Sequence, residues 1–225
     1  MTKQRTGTTK RFYDDACGTA HALELIGDRW ALLVLREMML GPRRFTGLRS
    51  DLPGISANVL SQRLGELEAR GLVERRMLPP PASAQVYALT PWGEEAEPIL
   101  QAMGRWAARS PEHDPSRPIS ATSVLLSLRT MHDPARVGDL DIEVEFRFGE
   151  RVYRGYLDRY EFPIRRSDGD EARPADLVFD GTPEDVVTAI YAKVSPARLP
   201  GLAVEGDPAL ARAFIDCFAL PPKAG

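Results

Sequence analysis

The sequence is short of the groups that most chemistry requires. Two cysteines and three histidines are spread over 225 residues. Cys17 and Cys217 stand at opposite ends of the chain, which suits neither a disulfide framework nor a metal cluster, so both are expected as reduced thiols. His21, His113 and His132 show no metal-ligand spacing. No run approaches the roughly eighteen apolar residues of a spanning helix, and the polar, basic N-terminus lacks the apolar segment of a secretory signal. A glycine-rich phosphate loop and a nucleophile elbow are also missing. These absences weigh against a membrane protein, a secreted scaffold and an enzyme. We expect a cytoplasmic chain with no catalytic residue, no cofactor and no metal.

What is present is a soluble composition, 43% hydrophobic and 27% charged, on a chain long enough for two domains. The net charge of −3 is unevenly placed. Residues 1–110 hold 15 Lys+Arg against 12 Asp+Glu, or +3, and residues 111–225 hold 14 against 20, or −6. The basic half also contains the most informative stretch, Gly54 to Gly71.

Pro53-Gly54 ends what precedes that stretch, Ser56 can cap a helix, and Gly71 can close it in a left-handed conformation. Leu60, Leu64 and Leu67 make an apolar stripe, while Asn58, Ser61, Gln62 and Arg63 project elsewhere. Asn and Gln match the major-groove edge of adenine and Arg that of guanine, so the first two turns carry the groups a recognition helix needs. Taken alone, the pattern also suits an ordinary amphipathic surface helix.

The chain in order supplies the context. Residues 1–12, with Lys3, Arg5, Lys10 and Arg11, read as a flexible basic arm. A helix over 13–26, a nearly all-apolar helix over 30–40 opened by Asp28, and a short helix over 45–52 lead to the Pro53-Gly54-Ile55 turn and the 56–70 helix. An extended hairpin follows, LVERRML and QVYALT around a Pro-rich tip, with Arg75 and Arg76 on opposite sides of its first strand. Three helices and a two-stranded wing make a winged helix-turn-helix. Thr90-Pro91 opens one further helix, kinked at Pro98, on which Trp92, Ala96, Ile99, Met103 and Trp106 form a seam for a partner helix. Homodimerisation is expected through it.

Residues 110–120 read as a linker. Beyond it, 121–219 alternate between helix and strand, and 220–225 form a tail. Ile142, Val144, Phe146 and Phe148 alternate with charges, and a two-residue Gly149-Glu150 turn sets Phe146 opposite Tyr153, Val144 opposite Gly155 and Ile142 opposite Leu157. That register pairs Glu145 with Arg154 on the wet face. Strands over 160–165 and 176–180 and helices over 183–194 and 208–218 complete an α+β domain. The fold class is multidomain: a mostly-α winged helix-turn-helix over 13–109, then α+β with an antiparallel-rich sheet and flanking helices.

Four short motifs, Gly27-Asp28-Arg29-Trp30, Gly41-Pro42-Arg43-Arg44-Phe45, Leu52-Pro53-Gly54-Ile55-Ser56 and Leu89-Thr90-Pro91-Trp92-Gly93, occur in order over residues 14–109. In this the chain resembles the HxlR-type winged-helix transcriptional regulators. The resemblance implies a homodimeric bacterial regulator, a repressor by default, on a pseudo-palindromic site of double-stranded DNA. It assigns base reading to Ser56, Asn58, Ser61, Gln62 and Arg63, and backbone contacts to Arg43, Arg44, Arg75 and Arg76. Gly65 departs from the family, which commonly carries a longer side chain there. Some members sense oxidants or electrophiles through a cysteine at the place of Cys17. Here the plainer reading is a small buried hydrophobe whose thiol Asp14 and Asp15 would push up.

Residues 120–219 more weakly resemble the sterol-carrier-protein fold, through DLVFDGTPEDVVTAI and LAVEGDPALARAF. That implies an apolar cavity lined by Phe146, Phe148, Tyr153, Phe162, Leu177, Phe179, Val187 and Ile190, and with it an apolar small-molecule effector. A filled core of the same side chains is the plainer alternative. The competing function is a small-molecule or lipid binding protein whose helical part only dimerises.

Overall fold

The structure, a computed structural model, describes residues 13–80, 83–167, 169 and 173–225. The expected basic arm lies outside the described residues. The first half is built from α1 (Gly18–Ile26), α2 (Ala31–Arg36), α3 (Phe45–Asp51) and α4 (Ala57–Ala69), a wing of β1 (Val73–Met77) and β2 (Gln85–Leu89), and α5 (Pro91–Glu94) with α6 (Glu97–Ala107). Leucines 35, 48, 52, 60, 64, 67 and 72, with Val34 and Leu89, close its core. The helix expected to reach residue 40 ends at Arg36. Beyond it the backbone tightens, with Met38, Met39 and Gly41 each donating to a carbonyl three residues back at 3.0–3.1 Å. Those turns carry Leu40 out of this core and into the second one.

The single helix expected after Thr90 is two. Thr90 Oγ1 accepts from Gly93 N at 3.1 Å and starts α5, and the chain then breaks at Glu95-Ala96. Pro98 falls in the first turn of α6, where its missing N–H removes no intrahelical bond.

The second half begins with α7 (Ala121–Thr130), capped by Ser120, and the short α8 (Pro134–Val137). Strands β3 (Ile142–Phe148), β4 (Arg151–Leu157), β5 (Ile164–Arg166), β6 (Leu177–Asp180) and β7 (Ala203–Gly206) form one sheet in the order β5-β4-β3-β6-β7. Only the β3 and β6 pair is parallel. Helices α9 (Pro183–Tyr191) and α10 (Pro208–Asp216) join α7 on the face carrying Val144, Phe146 and Phe179.

The hairpin register is the one the alternation and charges specify, Ile142 on Leu157 through Phe146 on Tyr153, with Gly149 at φ +61° in the turn. The third strand is shorter than expected, because Pro163 has no N–H to give the ladder. The edge strand β7 escaped the sequence reading: it is four residues long and largely exposed. It ends at Gly206, φ +115°, where a Cβ would stand 2.3 Å from the carbonyl oxygen of Asp176.

The two halves are packed together. Arg129 Nη2 lies 3.0 Å from Glu97 Oε1, and Arg105 donates to the carbonyl of Thr130. The segment between them is tied to the C-terminus: Lys223 Nζ donates to the carbonyls of Ala108, Ser110 and His113, and Ala224 N donates to that of Arg109 at 2.7 Å.

Candidate nucleic-acid interface

The geometry starts from α4. Ser56 holds an extended backbone and its Oγ accepts from Val59 N at 3.2 Å, which fixes the entry of the helix after the Pro53-Gly54 turn. At the other end Gly71 adopts φ +76°, the left-handed closure. Leu60, Leu64 and Leu67 are buried against α2, so Ser56, Asn58, Ser61 and Gln62 stay exposed. Gln62 Nε2 donates to Glu66 Oε1 at 3.0 Å, an exposed contact that a base edge can replace. Nothing lies within 4 Å of a Cβ built on Gly65, so its lack of a side chain is not a packing requirement.

Arg63 differs from its neighbours. Its side chain is only 15% exposed and its Nη1 pairs with Glu66 at 2.5 Å and Asp28 at 3.4 Å. Its Nε is buried without a hydrogen-bond partner. The expected guanine-reading fork is therefore turned into the domain, because Asp28, at the entry to α2, lies over that face of α4.

The adjacent arginines 43 and 44 have opposite fates. Arg44 is exposed and makes no ion pair among the described residues. Arg43 is 8% exposed; its backbone is stitched to Tyr87 of the wing by two 2.8 Å bonds, and its guanidinium pairs with Asp51 and lies 3.9 Å from Glu37 Oε2. The same group reaches Thr122 Oγ1 of α7 at 3.4 Å. This corrects the expected phosphate contact of Arg43, since a buried charge held between the carboxylates of Asp51 and Glu37 has no free face for DNA. Arg49 was missed. Leu48 and Leu52 set the packed face of α3 and leave Thr46, Arg49 and Ser50 exposed, and that periodicity was the available signal.

On the wing, Arg75 and Arg76 are both about half exposed. Arg75 pairs with Glu68 at 3.0 Å and lies 5.6 Å over the Tyr87 ring, while Arg76 pairs with Glu74. Exposed pairs of this kind contribute little to stability and exchange readily for phosphate.

The seam separates into two. Trp92, Ile99, Met103 and Trp106 are exposed, Trp106 at 76%, but Ala96 is buried in the first core. The break between α5 and α6 interrupts the heptad, so Ala96 leaves the expected partner-facing set. Cys17 is exposed at the start of α1 rather than buried. Hydrogen bonds from the Thr19 and Ala20 backbone hold its thiol below the usual range, contrary to the upward push expected from Asp14 and Asp15.

The eight expected cavity residues Phe146, Phe148, Tyr153, Phe162, Leu177, Phe179, Val187 and Ile190 are all buried. Ring centroids run in contact, with Phe146 to Phe179 at 5.6 Å, Phe179 to Phe214 at 5.4 Å and Phe214 to Phe218 at 5.1 Å. These side chains fill a core in place of the expected cavity. Glu145 accepts from Arg154 Nε at 2.7 Å as the register requires, yet both are buried, with Arg147, Arg166 and Pro174 walling the same hollow. Among the described residues no three His, Cys, Asp or Glu side chains gather as metal ligands, and no helix is long and apolar enough to cross a membrane.

Residues 25–115 match the HxlR-like helix-turn-helix family. The HTH-type transcriptional regulator YkvN of Bacillus subtilis is 38% identical over 99 residues, 44% of this chain and 84% of that protein. The regulator sll1512 of Synechocystis is 39% identical over 87 residues, 39% of this chain and 64% of that protein. The structure of reduced YodB from B. subtilis, 35% identical, aligns over 44% of this chain and all of that chain, with a TM-score of 0.39. The chain belongs to the HxlR-like helix-turn-helix family. Residues beyond 115 lie outside the match.

Proposed function

We propose that the chain is a sequence-specific DNA-binding regulator, acting as a homodimer and by default as a repressor through promoter occlusion. The observation that carries the reading is α4: a capped second helix of a helix-turn-helix whose first turns expose Ser56, Asn58, Ser61 and Gln62 while its leucines are buried. Asn58 and Gln62 read base edges, and Arg44, Arg49, Arg75 and Arg76 supply the salt-dependent backbone contacts. Trp92, Ile99, Met103 and Trp106 bury against a second copy, setting two recognition helices about one DNA turn, roughly 34 Å, apart. Cys17, exposed and acidified, is the site where an oxidant or electrophile acts.

The test is fluorescence anisotropy on DNA from upstream of the protein's own gene, with excess nonspecific competitor and a salt series. Competitor-resistant binding that weakens steeply with salt supports the reading. Binding that the competitor removes entirely sinks sequence specificity, and absence of binding at every salt sinks the regulator reading.

A further inference from the structure

The two halves leave between them a cleft of about 630 Å³, within the size range of small-molecule sites. Trp30, Leu33 and Pro53 wall it from the helix-turn-helix side, and Pro118, Ile119 and Pro183 from the other. Those six side chains give the cleft flat apolar patches, and Ser50, Ser120 and Ser123 add hydroxyls between them. Arg29, Arg36 and Arg151 open on it, with the carboxylates of Asp51 and Glu184.

The three cations differ in freedom. Arg36 is held by Glu37 Oε1 through Nε at 3.0 Å and Nη2 at 2.8 Å. Arg151, 29% exposed, donates Nη1 to Asp51 at 2.6 Å and keeps further N–H groups. Arg29 is exposed, lies 5.2 Å over the Trp30 ring and makes no ion pair among the described residues. A planar anion seated beside Trp30 would meet one unpaired guanidinium and one with N–H groups to spare, and guanidinium forks pair well with carboxylates.

We propose that this cleft is a reversible effector site, separate from Cys17, and that it takes a small aromatic carboxylate. The ring lies along Trp30 and the proline walls, and the carboxylate is gripped by Arg29 and Arg151. This moves the effector from the filled C-terminal core to the seam between the halves.

The location gives the ligand a lever on DNA. Asp51 ends α3 and begins the segment that turns through Pro53-Gly54 into the Ser56 cap of α4. Its Oδ2 accepts from Arg43 of the first half and from Arg151 of β4. A carboxylate that draws Arg151 off Asp51 alters the ionic tie between β4 and the end of α3, from which the turn into α4 starts. Ligand and DNA then change each other's affinity by the same factor. The coupling rests on the regulator reading above, whereas binding in the cleft does not.

The experiment uses the full-length protein and 2-naphthoate as probe, with calorimetry in the absence of DNA and neutral 2-naphthalenemethanol as control. Saturable naphthoate binding is expected, with the alcohol at least about tenfold weaker and Arg29→Gln about tenfold weaker for naphthoate, as loss of a charged hydrogen bond implies. Arg29 is an exposed side chain, so that variant should fold, and an unchanged melting curve checks it. Arg151→Lys, which keeps the charge and loses the fork, should also weaken naphthoate. No binding by the wild type, or equal affinity in wild type and Arg29→Gln, overturns the site. In parallel anisotropy, naphthoate should shift DNA affinity at least threefold in the wild type and less in Arg29→Gln. Cleft binding with no such shift overturns the coupling, and DNA binding absent with and without naphthoate strikes the regulator reading alone.

Discussion

The two halves use their large apolar side chains in opposite ways. On α5 and α6, Trp92, Ile99, Met103 and Trp106 remain at the surface, whereas Phe146, Phe179, Phe214 and Phe218 are fully buried against one another. An exposed apolar row of this kind is a feature of protein interaction surfaces. A ring cluster already in contact has no room to offer a ligand. The difference is why the proposed association is assigned to the first half, and the proposed ligand to the space between the halves instead of the second core.

The strongest way to break that comparison is Phe214→Ala. Four rings surround this side chain, at 5.1–6.2 Å. The substitution should cost about 3–5 kcal/mol in denaturant unfolding. A loss below about 1 kcal/mol would mean that the core is looser than its ring contacts imply.

Arg43→Ala should follow, at about 3 kcal/mol, because it removes a buried cation shared by Asp51 and Glu37 and leaves them only Arg151 and Arg36 as ionic partners among the described residues. Its neighbour is the control: Arg44→Ala should leave the melting curve in place and reduce the slope of DNA affinity against salt by about one. Equal stability effects at the two positions would erase the distinction between the buried and the exposed arginine.

Trp106→Asp should separate the proposed dimer, with a loss of about 2 kcal/mol or more in association measured by sedimentation, and leave monomer secondary structure unchanged. A variant that sediments as the wild type does would remove α6 from the interface. Gln62→Ala should relax base preference by about 1–3 kcal/mol at one operator position, seen as a flattened ranking of mutated sites. The smallest effect is a gain. Gly65→Ala meets open space and a helical backbone, and should raise stability by about 0.5–1 kcal/mol without changing the salt slope.

Much of the first half was legible because its signals are local. Ser56 capping Val59, Thr90 capping Gly93 and the left-handed Gly71 each act within a few residues. The β3 and β4 register was legible for a related reason: the pleat's alternation and the Glu145 and Arg154 charges point to one pairing across a two-residue turn. What could not be read was which polar groups become buried. Arg63 was expected as a reader until Asp28 closed over it, and Ala96 was expected at the interface until the break at Glu95 turned it inward.

By itself, then, the sequence determined the helix-turn-helix, its caps, its wing and the central hairpin, since these depend on periodicity and on partners near in the chain. The tertiary structure alone decided that Arg43 is a buried tie and Arg44 an exposed side chain with no ion pair among the described residues. It also decided that the aromatic residues of the second half fill their core and that a cleft remains between the halves. Those outcomes depend on Asp51, Thr122 and Arg151, groups 8, 79 and 108 positions from Arg43. Whether a charge is solvated or paired is set by what packs over it, and no local pattern carries that information.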